Sequence, residues 1–431
     1  MKNAVSAWPL VALCALTFHA LLICPAAQAG DWQNWRGPFY NGSTDETGLP
    51  SSFSKTDNVA WSVDLPGVAS STPIISGECV FLSSTDTAAD ALLAMCFSGK
   101  DGKLLWQHSI AKGIRKDTRS TYAGPSPATD GETVVFFFGN GDMVGYDFTG
   151  QQLWRKNMGP FAFGWTFSTS PVIYERLMYV QILQRGDGAS VIVGMQPKTG
   201  EELFRHVRPT RAVAESQESF NTPMPYEFQG RKELLVAGGD YLSGHDLKTG
   251  KELWQWGTWN PMQIGHWRLV PSPIAGDGIV LACAPKRDPI YAIKAGGTGT
   301  LSDDAIAWVS REARELSTDV PTPAFYDGDF FVLSDVRKAL SRVEPKTGKV
   351  KWTMMPPGRQ KYEASPLAAD GKVYLINFDG EVAIVNANNG ELVRVIPMES
   401  GEIRDFVRSS VVAAHGQLYV RTTNKLYCIG K

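Results

Sequence analysis

Arginine and aromatic side chains crowd into a few loops of this chain, and those residue types are suited to gripping a charged or planar partner. They occur in Arg115-Lys-Asp-Thr-Arg119-Ser-Thr-Tyr122, in Phe161-Ala-Phe-Gly-Trp165-Thr-Phe167 and in Trp256-Gly-Thr-Trp259-Asn-Pro-Met-Gln-Ile-Gly-His266-Trp267-Arg268. Asp319, Tyr362, Glu363 and Arg408 stand just before apolar runs later in the chain. Arg119, Tyr122, Trp165, Trp267, Arg268, Asp319, Tyr362, Glu363 and Arg408 are expected to form one mixed charged and aromatic face. The plainer alternative is that the tryptophans pack loop against loop and the charges pair off.

Residue sets that perform catalysis on their own are missing from the sequence. There is no His-x-x-x-His, no Gly-x-Ser-x-Gly and no P-loop. Asp303-Asp304 and Glu201-Glu202 fall at expected turns, where carboxylates are favoured by solvation and local hydrogen bonds. Asp86, Asp187 and Asp379 are isolated hairpin-tip carboxylates, and no calcium loop of the EF-hand type is present. His245 and His415 read as structural, while His266 sits in an aromatic loop. No catalytic, cofactor-binding or metal-binding set is expected. The protein reads as a non-enzyme that binds an envelope protein partner or an extracellular ligand.

Composition narrows the setting. A formal net charge of −2 over 431 residues, with no Lys/Arg-rich run, gives no electrostatic footprint for nucleic acid. Lys2, an apolar stretch from Trp8 to Cys24 and the Ala27-Gln28-Ala29 pattern read as a signal peptide over residues 1–29, so the protein is expected to be exported to the periplasm or beyond. The alternative is an uncleaved membrane anchor; no later segment is apolar enough to span. Ile23 precedes Cys24 where a lipid anchor needs a small residue. Cys79 and Cys96 flank an expected hairpin almost symmetrically, which leaves a cross-strand disulfide and a pair of free thiols both open.

The elements that must position the loops are repeats. A small residue followed by proline recurs at Pro73, Pro127, Pro171, Pro223, Pro273, Pro323 and Pro366, a spacing of about 49 residues, which is in the range of propeller blades. Ser409-Ser410-Val411 is an eighth copy without the proline. Each copy continues with a strand, a Gly turn and a second strand. A third strand ends at another Gly turn, and an aromatic follows four residues later: Gly102 to Trp106, Gly150 to Trp154, Gly200 to Phe204, Gly250 to Trp254 and Gly348 to Trp352. An indole there would fill the wedge between blades and donate its N–H. Arg394 takes the aromatic position after Gly390, and the copy containing Trp308 replaces the tight turn with Ala295-Gly-Gly-Thr-Gly-Thr-Leu-Ser-Asp-Asp.

The last copy stops after three strands, whereas Val59-Ala-Trp-Ser-Val-Asp-Leu is a Trp strand with none before it. Together they complete one blade and remove an open edge. The expectation is an all-β, eight-bladed propeller of four-stranded antiparallel blades over residues 59–431, closed by N- and C-terminal strands, with no second domain. Residues 30–58 should run across the ring and bury Trp32 and Trp35. A monomer is expected.

The endings Asp246-Leu-Lys-Thr-Gly-Lys-Glu-Leu-Trp254 and Glu344-Pro-Lys-Thr-Gly-Lys-Val-Lys-Trp352 resemble the tryptophan-docking repeat of the pyrroloquinoline quinone (PQQ)-like propellers. Trp32-Gln-Asn-Trp-Arg-Gly-Pro and the Ala-Gly-Gly-Thr-Gly insertion resemble exported propellers akin to the outer-membrane assembly factor BamB. In the quinoprotein branch the resemblance implies PQQ, calcium and adjacent cysteines, and this chain has no Cys-Cys pair. In the BamB branch it implies a non-catalytic scaffold held by a lipid anchor, for which the lipid-attachment pattern is absent. PQQ with calcium, or a carbohydrate, stands as the alternative ligand.

Overall fold

A computed structural model describes residue 1 and residues 30–430 apart from 116, 187, 258 and 399–404. The expected signal peptide lies outside the described residues. Among the described residues eight sheets with antiparallel four-stranded cores are arranged as blades, six of them formed by consecutive strands. Blade 1 runs through Ile74–Ser76, Cys79–Asp86, Ala91–Ser98 and Leu104–Lys112. Blades 2 to 7 begin at Ala128, Val172, Met224, Ile274, Ala324 and Leu367. Short inner strands such as Ile74–Ser76 and Leu367–Ala369 are wholly buried and face the axis, whereas the fourth strands are more exposed, most fully in blades 2 and 7.

Blade 8 is shared as expected. Val412–Ala414, Gln417–Arg421 and Lys425–Ile429 come from the C-terminus, and Val59–Asp64 adds the outer strand with Val59 opposite Ile429 and Asp64 opposite Lys425. Sheet closure of this kind leaves no open end in the ring.

Tryptophan docking follows the expected geometry at five seams. The indole N–H of Trp61 donates to Gly99 O (2.7 Å), Trp106 to Phe148 O (3.0 Å), Trp154 to Pro197 O (2.6 Å), Trp308 to Pro345 O (2.6 Å) and Trp352 to Ala387 O (3.1 Å), always in the next blade. The turn glycine does more than supply a positive φ. A Cβ on Gly102 would lie 2.7 Å from the Trp61 ring, and Gly150, Gly200, Gly348 and Gly390 are crowded in the same way by Trp106, Trp154, Trp308 and Trp352. The glycine is therefore the seat on which the preceding blade's indole lies.

Two seams differ from the expected docking. Trp254 donates to Glu233 Oε2 within its own blade, because blade 5 has no tight turn to receive it. The insertion instead wraps back: Gly299–Thr300 adds a fifth, parallel strand to blade 4, and Asp303 accepts from Trp256 (3.2 Å). Arg394 is exposed. The third and fourth strands of blade 8 come from opposite chain ends, so no turn exists there to seat an aromatic from blade 7. Cys79 and Cys96 are free thiols.

Residues 30–50 form a strap across one face of the ring. Trp32 exchanges two backbone hydrogen bonds with Ile75 in blade 1, Gln33 O accepts from Thr129 N in blade 2, and Asn34 Oδ1 accepts from Ile173 N in blade 3. Further on, Asn41 O and Gly42 O accept from Phe325 N and Ala368 N in blades 6 and 7, and Gly30 O accepts from His415 N in blade 8. Arg36 is buried at the centre, donating to Pro323 O (2.6 Å) and Pro366 O (2.8 Å); desolvation pulls its pKa down to about 9, so it remains cationic at neutral pH. Trp32 is buried as expected, but Trp35 is only half-buried, because it faces the axial cavity.

Candidate functional site: the open mouth of the axial channel

The small residue before each proline has a structural purpose that the repeat alone did not disclose. Thr72 N donates to Ser126 Oγ (2.9 Å), Ser126 N to Ser170 Oγ (2.9 Å), Ser170 N to Thr222 Oγ1 (3.1 Å) and Thr222 N to Ser272 Oγ (2.9 Å). Ser272 N continues to Thr322 Oγ1 (2.9 Å), Thr322 N to Ser365 Oγ (3.0 Å), and Ser410 N to Thr72 Oγ1 (3.2 Å). A hydroxyl accepts one N–H and still has a proton to give. Thr72, Ser126, Ser170, Thr222, Thr322, Ser365 and Ser410 all line the axial cavity, so the hydroxyl necklace that joins blades also forms its wall.

That cavity has a volume of about 200 Å³, with Trp35 of the strap among its lining residues and Arg119, Trp165, Arg268, Glu363 and Arg408 at the loop end. These five are brought together from loops preceding blades 2, 3, 5, 7 and 8. Arg408 Nε pairs with Glu363 Oε2 at 3.1 Å, and its guanidinium lies over the stacked rings of Phe378 and Phe406. Arg268 stands 3.5 Å from Glu215 and 3.8 Å from Asp319, and its buried Nη1 has no hydrogen-bond partner. The Arg119 guanidinium rests over the Trp165 ring at 5.6 Å. Trp165 in turn donates its indole N–H to Glu215 Oε1 (3.2 Å).

The remaining four residues of the expected face are placed differently. Asp319 sits just behind the wall, where Oδ1 accepts from Lys286 N (2.8 Å). Trp267 is half-buried against the core of blades 4 and 5. Tyr122 packs between blades, its carbonyl accepting from Gly139 N (2.7 Å). Tyr362 is in the core, with its hydroxyl donating to Pro357 O (3.0 Å). An aromatic beside an inner strand reads alike in sequence whether it faces the axis or the wedge between blades. Sequence reasoning missed Trp35, Ser70, Asn221 and the hydroxyl necklace; the repeated Ser/Thr before proline was the available signal.

The electrostatics of the mouth reflect crowding. Asp335, which accepts from Asp319 N (2.9 Å), has its pKa raised to about 6 by burial, with Asp319 and Glu363 adding to the shift. Lys286 is shifted downward by burial and then by the Arg268 charge. Burial also acts on Asp117, but hydrogen bonds from Thr166, Arg119 and Ser120 outweigh it and hold its carboxyl low. No group of three or more His, Cys, Asp or Glu positioned to hold a metal occurs among the described residues.

Fold and site together define a tryptophan-docked, eight-bladed propeller of the PQQ-like class with one face strapped and the other open. The family described as outer membrane protein assembly factor BamB matches residues 43–164, 96–301 and 189–431, and the chain belongs to that family. No curated protein sequence matches it. Among solved structures it is similar to BamB from Moraxella catarrhalis, with a TM-score of 0.61 at 13% identity over 86% of this chain and 96% of that one. It is also similar to a europium-containing methanol dehydrogenase, with a TM-score of 0.70 at 10% identity over 94% and 98% of the two chains. A quinohemoprotein alcohol dehydrogenase from Comamonas testosteroni gives 0.66 at 13% identity over 94% and 81%. Identities this low speak for the fold alone.

Proposed function

We propose that this propeller is a non-catalytic binding protein of the cell envelope that engages its partner or ligand through the open mouth. The observation that carries the reading is the asymmetry of the ring: the strap is bonded across one face through Trp32, Gln33, Asn34, Asn41 and Gly42, while the other presents Arg119, Trp165, Arg268 and Arg408 around a cavity. Exposed arginine beside tryptophan is the composition of binding hot spots. Export, which this reading needs, rests on residues 1–29.

PQQ with calcium is the second reading, and the residues do not fit it. Among the described residues the single carboxylate on the cavity wall, Glu363, is tied to Arg408, and the other charged groups of that wall are the guanidiniums of Arg119 and Arg268, which do not ligate a cation. Co-purification from envelope fractions, followed by mass spectrometry, tests the binding role. Trp165→Ala and Arg268→Ala should each reduce recovery of the captured partner, and recovery of the bare monomer from the unaltered protein would remove the proposal.

A further inference from the structure

The axial cavity has a chemistry of its own, distinct from the loop face that surrounds it. Its wall is hydroxylic, its mouth is cationic, and indoles stand at both levels, Trp35 of the strap and Trp165 of the mouth. Each of these facts restricts the guest. A cavity of about 200 Å³ is smaller than the 300–1,000 Å³ of sites for drug-sized ligands, so the guest is of monosaccharide size.

Charge sets the next requirement. The lining carries Arg119, Arg268 and Arg408 against Glu363. Arg408 is neutralised by Glu363, and the acids beside Arg268 lie at 3.5 and 3.8 Å without satisfying Nη1. Arg119 has an aromatic face beneath it and, among the described residues, no acidic partner. Two guanidiniums with donors to spare select a carboxylate, which accepts from both lone-pair edges at once.

Polar groups deeper in the cavity decide what kind of carboxylate. The hydroxyls of Thr72, Ser126, Ser170 and Thr222 each accept a backbone N–H from the neighbouring blade, that of Thr72 from Ser410, and retain their own proton for a guest. Asn221 also lines the wall, but its Nδ2 hydrogens go to Ala237 O and Pro271 O and its Oδ1 accepts from Gln181 Nε2, so the hydroxyls carry the polar recognition. A guest with only an apolar body would leave this wall unpaired on displacing its water, which disfavours it. A polyhydroxylated guest pairs with it, and its C–H faces suit the indoles.

We infer that the axial cavity is a metal-independent binding site for a sugar acid, with Arg119 and Arg268 taking the carboxylate and the hydroxyl necklace taking the polyol. The inference rests on the mouth being a binding site, but it concerns a small ligand inside the channel, and partner capture by the loop face stands or falls separately in the envelope co-purification.

Isothermal titration calorimetry of the full chain with glucuronate as the probe, in EDTA, tests it. Glucose, which lacks the carboxylate, and N-acetylaspartate, which lacks the polyol, are the comparison ligands. The expected result is glucuronate binding that is unaffected by EDTA and at least tenfold tighter than either comparison. Arg119→Gln should weaken it tenfold or more. Ser168→Asn, which adds bulk to the wall at a hydroxyl outside the necklace, should block it while the ligand-free protein melts normally. A uronic-acid disaccharide that binds more tightly than the monomer would assign the ligand to the end of a polymer, and one that binds less tightly to a free sugar acid. Absence of glucuronate binding, binding that needs calcium, equal affinity for glucose, or binding retained by both variants would overturn the inference. Equal affinity for N-acetylaspartate would also overturn it, in favour of an acidic side chain of a protein.

Discussion

Replacing Trp61 by alanine should destabilise the ring more than the same change at any exposed outer-strand residue, because Trp61 closes the seam between the two chain ends. Its indole is 7% exposed, packs edge-on against Tyr419 with centroids 6.0 Å apart, lies on Gly102 and donates to Gly99 O at 2.7 Å. Truncating a buried aromatic of this size costs about 3–5 kcal/mol. That is a large share of the 5–15 kcal/mol by which folded domains are stable. Trp61→Phe keeps most of the packed area and loses the hydrogen bond, so it should cost about 0.5–1.5 kcal/mol for the bond plus a small packing loss. Arg394→Ala is the matched control: Arg394 occupies the corresponding position of blade 7, is exposed and has no seat in blade 8, and should stay within about 0.5 kcal/mol of the parent. Urea unfolding followed by far-ultraviolet circular dichroism ranks the three. If Trp61→Ala fell within about 1 kcal/mol of Arg394→Ala, the seam would not depend on the indole and the account of ring closure would be wrong.

The hydroxyl necklace predicts that Ser170→Ala, which leaves Ser126 N without its acceptor, costs about 1–3 kcal/mol in the same assay, whereas Ser170→Thr is nearly silent. Arg36→Met should cost about 2–3 kcal/mol and loosen the strap, detectable as faster amide exchange at Phe325 and Ala368, whose N–H groups the strap holds. The strap also carries a pH dependence through His415 and Asp31, paired at 2.9 Å. The hydrogen bond to Asp31 raises the His415 pKa against the effect of burial, so its contribution is full below the ordinary histidine value and is lost as pH rises through the raised one. Asp31 is held below its ordinary value as hydrogen bonds from His415, Gly77 and Ser76 outweigh desolvation, so its contribution fades only as pH falls through that lowered value. His415→Gln should therefore flatten the decline in melting temperature above about pH 6.5. His245, buried against Ser243 and Gly250 O with its pKa pushed down to about 3 by desolvation, must stay neutral in the fold. Acidification from pH 6.5 toward 3 should destabilise the parent more than His245→Asn, read as a crossing of their melting curves.

The blade count, the shared eighth blade and the tryptophan seams were legible because each rests on a local pattern repeated at fixed spacing. Where the pattern broke, at Arg394 and at the Ala295–Asp304 insertion, the structure supplies the reason: a missing turn in blade 8 and a parallel strand laid on blade 4. The mouth was legible only in part. Arg119, Trp165, Arg268, Glu363 and Arg408 line the cavity, whereas Tyr362 went to the core and Trp267 to the packing of a loop. Loop conformation decides which way such a side chain faces, and that is set by contacts between blades about 50 residues apart, which no local pattern encodes. Trp35 was missed as a lining residue for the same reason, since its position depends on the strap's bonds to distant blades.

The split blade also orders events in time. Val59–Asp64 leaves the ribosome early, yet its partner strand, Lys425–Ile429, is about 365 residues further on. At 5–20 residues per second that is a wait of roughly 20–70 s. Throughout it, Val59, Trp61 and Val63 form a strand without a neighbour, and the strap ahead of it lacks the blades it will bridge. The strand of blade 8 that is made first is thus paired last, and the ring cannot close until residues 425–429 have joined it.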